Sequence, residues 1–148
     1  ARVFSASPED LPSLVEAQHR RVTELERERK RLVTDLSRYE ATLRWDEASV
    51  DASGARRIRL APIGGPVRDA EPLVQALLAM GPCAVLVLSP STGGVLLGAS
   101  EGGGVDAGQR LRAALSAVGG RGGGSPRLAQ GSAAGKLELE SVAAALGF

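Results

Sequence analysis

Cys83-Ala-Val-Leu-Val-Leu-Ser-Pro-Ser-Thr-Gly-Gly-Val-Leu-Leu-Gly-Ala99 decides how the chain is read. From Cys83 to Leu88 the residues are apolar without a break, the pattern of a short strand buried on both faces. Thr92-Gly93-Gly94 then signals a hairpin, and Val95 to Ala99 supplies its second strand. Upstream, Arg57 to Ala61 reads as a strand and Val67 to Met80 as a helix stopped by Gly81-Pro82. Downstream, the pattern predicts a helix from about Asp106 to Val118, a glycine-rich loop from Gly119 to Gly124, a strand from Arg127 to Ser132, and a helix from Lys136 to Leu146. The order is strand, helix, strand, strand, helix, strand, helix. It predicts an α/β globule, a small mixed sheet covered by helices.

Toward the N-terminus the composition changes. Residues 9 to 47 contain no glycine, whereas all 19 glycines lie from Gly54 onward. Ser7-Pro8-Glu9-Asp10 offers a helix start, with a capping hydroxyl, a proline at the first helical position and acids at the positive end of the dipole; a start at Asp10 is equally consistent. Val15, Val22, Leu36 and Leu43 then recur on one seven-residue track, and Leu11, Leu25, Leu32 and Tyr39 on another. Offsets of four and three between the tracks are those of a coiled-coil seam, interrupted by Gln18 and Arg29. A helix of about 35 residues would be roughly 50 Å long, more than one small globule covers. The expected partner is a second copy, giving a homodimer, or another helix of the same parent chain. The domain plan is therefore a helical coiled-coil arm over residues 1–48, a linker over 49–56 and an α/β domain over 57–148.

Of the 148 residues, 43% are hydrophobic but only 3% are aromatic, and the net charge is +1. One cysteine and one histidine can make neither a disulfide framework nor a typical zinc site, so no metal or cofactor is expected. No apolar run approaches the roughly 20 residues that span a bilayer, so the expectation is no membrane partner and a cytoplasmic setting. The chain begins at Ala1 rather than Met, which suggests a fragment of a larger parent. His19 sits among polar neighbours on the arm and reads as a solvated helix residue. Cys83 opens the most apolar strand and reads as a small buried hydrophobe. With the carboxylates scattered, no catalytic constellation emerges, and the fragment itself is not expected to be an enzyme.

The segment that suggests function is Gly119-Gly-Arg-Gly-Gly-Gly-Ser-Pro-Arg-Leu-Ala-Gln-Gly131. Glycines leave backbone N–H groups open to an oxyanion, and Arg121 and Arg127 bracket the run. Glycine content alone fits a plain turn equally well. The pattern matches neither G-x-G-x-x-G nor G-x-x-x-x-G-K-[ST]. Local charge favours binding: between Gly103 and Lys136 the bases Arg110, Arg112, Arg121, Arg127 and Lys136 face the single acid Asp106. Arg56, Arg57 and Arg59 on the first strand fit an exposed edge better than a binding site. The expected contacts to a nucleic-acid backbone are Arg121, Arg127 and Lys136 for charge and the N–H groups of Gly122, Gly123 and Gly124 for phosphate oxygens. Arg110 and Arg112 would widen the footprint. Phe148 is the globule's one aromatic, so backbone shape rather than base stacking is the expected basis of recognition.

This glycine run, with Val105-Asp-Ala-Gly108 upstream, resembles the DHH-associated domain at the C-terminus of alanyl-tRNA synthetases and of related standalone alanyl-tRNA editing proteins. The Ser-Pro-Glu-Asp-Leu-Pro entry and charged coiled coil are similar to the junction after the editing domain in those proteins. The resemblance implies a module that contacts tRNA, specifically tRNA-Ala at its outer corner, and helps deliver mischarged tRNA to an editing site elsewhere on the parent. The parent would be an editing hydrolase or an alanine-tRNA ligase. Positions carried over are Gly120, Gly122, Gly123, Gly124, Ala129, Gln130 and Gly131. Ser125-Pro126-Arg127 departs from the Arg-Pro-Asp common in the synthetases and looks closer to the standalone proteins. Two other readings remain open: a dimerisation module with the seam Val15, Val22, Leu25, Leu32, Leu36, Tyr39 and Leu43, and an oligonucleotide clamp of a DHH-type phosphoesterase.

Overall fold

The structure, a computed structural model, describes residues 7–148. The Ala1 start and the first six residues of the expected arm lie outside the described residues. The chain forms two compact units, divided between Leu36 and Ser37.

The first unit is helix. Helix α1 runs from Leu11 to Glu47, its start marked by the Leu14 N–H donating to the Asp10 carbonyl and the Ser13 hydroxyl donating to the same oxygen. The side chains expected to form a seam are solvent-facing: Val15, Val22, Leu25, Leu32 and Leu36 are all exposed. His19 is likewise exposed.

The second unit, Ser37 to Phe148, is the α/β globule. After the last turns of α1 come β1 (Ser49–Val50), β2 (Arg56–Arg59), a 3-10 turn (Val67–Ala70), α2 (Glu71–Leu78), β3 (Cys83–Ser89) and β4 (Gly94–Ala99). Then follow α3 (Ala107–Ala117), β5 (Arg121–Gly124), β6 (Leu128–Ser132) and α4 (Lys136–Leu146). One mixed sheet runs in the order β1-β2-β3-β4-β6-β5. Its one parallel pair, β2 with β3, needs a crossover, and the 3-10 turn and α2 provide it. β3 and β4 form the antiparallel hairpin expected from Thr92-Gly93-Gly94; Gly93 has φ +68, a conformation that favours glycine.

The uninterrupted aliphatic runs have their reason here. Every residue of β3 and β4 is buried, because helices cover both faces at the centre of the sheet. On one face, Leu86, Leu88, Val95 and Leu97 pack against Leu111 and Leu115 of α3 and Leu139 and Val142 of α4. On the other, Val85, Val87 and Leu96 pack with Val74, Leu77 and Leu78 of α2 and with Ala41 and Trp45 from the end of α1. Each fully buried aliphatic side chain contributes about 1.5–3 kcal/mol.

Three expectations need correction. Residues 49–56 are not a plain linker: Ser49 and Val50 pair with Arg57 and Arg56, and the Asp51 carboxylate closes the turn by accepting from Ser53 and from the Ala55 N–H. The expected helix from 67 to 80 begins as a 3-10 turn, with Pro72 in the first turn of α2. The glycine run is not a loop. Residues 121–124 form an edge strand in register with β6, Gly122 opposite Gly131 and Gly123 opposite Gln130.

Candidate nucleic-acid interface

Glycine serves close packing on this edge strand. Side chains alternate across a strand, so Gly122 and Gly124 share one face and Arg121 and Gly123 the other. The first face lies under α3. A Cβ on Gly122 would fall 2.5 Å from Leu115 Cδ1, and Gly131 on β6 is covered by the same leucine. A Cβ on Gly108 of α3 would fall 2.5 Å from the Gly124 carbonyl oxygen. The helix can approach the sheet this closely only where side chains are missing.

Pairing with β6 also determines what the amides do. The Gly120 N–H donates to the Leu115 carbonyl at 2.8 Å and the Ser125 N–H to the Leu128 carbonyl at 2.9 Å. In an antiparallel ladder alternate residues exchange bonds with the neighbour, so Gly123 turns toward Gln130 while Gly122 and Gly124 turn to the edge. Three consecutive amides therefore cannot converge on one phosphate, and the expected cradle of Gly122, Gly123 and Gly124 is replaced by a strand edge. Ser125 is occupied as well: its hydroxyl accepts from the Leu128 N–H, closing the β5–β6 turn.

The cations divide into groups. Arg112 on α3 places its guanidinium over Gly123, whose added Cβ would lie 3.1 Å from Arg112 Nη2. Arg121 stands on the same face of β5 as Gly123, opposite Ser132, and Gln130 is opposite Gly123. Arg127 lies exposed in the β5–β6 turn. Among the described residues none of these three arginines forms an ion pair. Arg112, Arg121, Arg127 and Gln130 thus surround one hairpin. Arg110 is two residues from Arg112, about 200° around the helix, and belongs to another flank of α3. Lys136 opens α4, where its charge and the Arg59 guanidinium act on Glu140.

The arginines of β2 are committed internally, and β2 is not an edge, since β1 lies outside it. Arg59 donates to Glu140 at 2.7 Å, which holds that carboxyl below the usual range. Arg57 pairs with Asp51 at 3.2 Å and lies 5.8 Å from the Phe148 ring centre. Arg56 lies 4.9 Å from the Trp45 ring centre and donates to the Ala48 carbonyl. Trp45 is therefore an aromatic of the globular unit that the domain plan had assigned to the arm. Cys83 is buried, its thiol donating to the Leu77 carbonyl and pushed up in pKa by desolvation, so it is a packed hydrophobe rather than a nucleophile. No described helix is long and apolar enough to cross a membrane.

No protein-family model matches the chain, and no curated protein does. Among solved structures it is similar to the crystal structure of the C-Ala domain from Aquifex aeolicus alanyl-tRNA synthetase. The identity is 19% and the TM-score 0.54, over 66% of this chain and 91% of that one. At that identity the likeness is one of architecture: the chain has the fold of an alanyl-tRNA synthetase C-Ala domain.

Proposed function

We propose that the chain is a non-catalytic, tRNA-binding C-terminal module of an alanyl-tRNA synthetase or of a related alanyl-tRNA editing protein. It helps bring mischarged tRNA to an editing site outside these 148 residues. The observation that carries this reading is the cluster of unpaired arginines, Arg112, Arg121 and Arg127, around the β5–β6 hairpin of a fold shared with a synthetase domain. Guanidinium groups at a strand edge attract a phosphate backbone without reading bases, which suits the outer corner of a folded RNA. The cytoplasmic setting is part of the same proposal.

The exposed seam of α1 supports a second element. Leu25 and Leu32 are each 56% exposed and Leu36 is 65% exposed, an apolar stripe that pairing in a homodimer would cover. Two copies would present two basic hairpins.

Fluorescence anisotropy of a tRNA-Ala transcript, titrated with the protein across a salt series, tests the reading. Binding should weaken steeply with salt, and Arg112→Ala and Arg121→Ala should each reduce the log–log slope by about one unit. Absence of binding at about 50 mM salt would overturn it.

A further inference from the structure

The two sheet faces differ at the β6–β5 end. Leu115 of α3 covers one. On the other, α2 packs over Gly98 and Val67 over Gly94, whereas Gln130 and Ser132 of β6 and Arg121 of β5 remain exposed. Where the covering ends there is a recess of about 240 Å³, bordered by Arg68 and Glu71 from the crossover, Leu96 and Leu128 from the sheet, and Gln130 and Gly123 from the hairpin. Arg68 and Gln130 also border a neighbouring recess of about 370 Å³.

The lining is mixed in charge: the Glu71 carboxylate stands with the Arg68 guanidinium, which lowers the pull on a phosphate, and the partly exposed Leu128 forms its apolar side. It suits a flat heterocycle with polar edges: the Leu128 side chain against the ring, a carboxylate to accept from an amino group, and a guanidinium and an amide to donate to ring nitrogens or carbonyls. We propose that this recess holds one unstacked nucleobase bearing an exocyclic amino group, with Glu71 as acceptor and Arg68 and Gln130 as donors. Uracil is disfavoured, because it places a carbonyl where cytosine places its amino group and so turns an acceptor toward the Glu71 carboxylate. The proposal rests on the RNA-binding reading and adds a base-selective contact to an otherwise backbone-directed interface.

The test uses the 148-residue chain, fluorescein-labelled oligocytidine and oligouridine of equal length, and the tRNA-Ala transcript at low salt. The wild-type protein should bind oligocytidine at least about fivefold more tightly than oligouridine. Glu71→Gln and Gln130→Ala should each abolish that preference while keeping the salt slope, whereas Arg121→Ala should weaken both oligomers alike. As a readout independent of any variant's folding, cytidine monophosphate should shift the amide NMR signals of Gly123 and Gln130, and uridine monophosphate should not. Equal affinity for the two oligomers with tRNA binding intact overturns the base site alone. Loss of tRNA binding with the cytidine-selective shifts intact overturns the tRNA reading alone.

Discussion

Leu115 of α3 lies directly on the backbone of Gly122, so close that a single added methyl group would stand 2.5 Å from its Cδ1. This contact separates two reasons for a glycine-rich run, backbone offered to a ligand and backbone offered to a helix. Gly122→Ala should overpack the interface and destabilise the chain by about 1–3 kcal/mol in urea unfolding. Protein that remains folded should keep most of its RNA affinity. Unchanged stability with lost affinity would mean that the glycine serves the ligand instead.

Arg112 and Arg110 are neighbours in sequence but not around α3. Replacing Arg112 with Ala removes a guanidinium from the hairpin and should lower the salt slope of tRNA binding by about one unit. Arg110→Ala should lower it by clearly less. Equal losses in the same anisotropy titration would place both on one footprint and contradict the division of the helix into flanks.

Asp51 closes the β1–β2 turn. The Ser53 hydroxyl is the largest influence on its carboxyl, which is held at about 2; desolvation opposes it, and the Arg57 guanidinium and the Ser53 and Ala55 N–H groups add to the lowering. A folded-state pKa below the ordinary 3.8 means that the contribution is full above pH 3.8 and is lost as pH falls through about 2. Asp51→Asn should therefore lower the thermal midpoint at pH 6, and the gap from wild type should close near pH 2. A gap independent of pH would contradict a charge-based role.

Trp45, the chain's one tryptophan, joins the last turn of α1 to the sheet through Arg56 and Gly81. Trp45→Ala should cost about 2–3 kcal/mol, less than a fully buried tryptophan because the ring is half-buried. In the wild-type chain its emission should shift to the red in the same transition that unfolds the sheet, followed by far-ultraviolet circular dichroism. Two separate transitions would show that this turn docks independently.

The α1 seam is tested by mass. Sedimentation equilibrium should return twice the chain mass for the wild type and the single mass for Leu25→Glu or Leu32→Glu, with helix content lowest in the dissociated form. A single mass for the wild type would overturn the homodimer.

How much of this was legible depends on the kind of signal each element carries. β3 and β4 were readable because a strand covered on both faces must be aliphatic throughout, and α3 because Asp106 caps it, its carboxylate accepting from the Gln109 N–H. β5 was not, since glycine has no side chain with which to express a two-residue period and has low strand propensity. Its extended state comes from β6 and from Leu115. The candidate cations were legible as a charge excess, but Arg68 and Glu71, which border the recess with Gln130, carried no signal at all because the crossover brings them there.

Local chemistry alone determined that an acidic-basic helix precedes a glycine-bearing α/β segment, and that the segment holds a basic stretch. These follow from hydrophobic period, capping and net charge, which are properties of neighbours along the chain. Only the tertiary structure decided that the glycines form an edge strand under α3, that Arg57 and Arg59 are taken by Asp51 and Glu140, and that Arg112 reaches Gly123. Each depends on which residue, tens of positions away, fills or vacates the neighbouring space, and no local pattern encodes that.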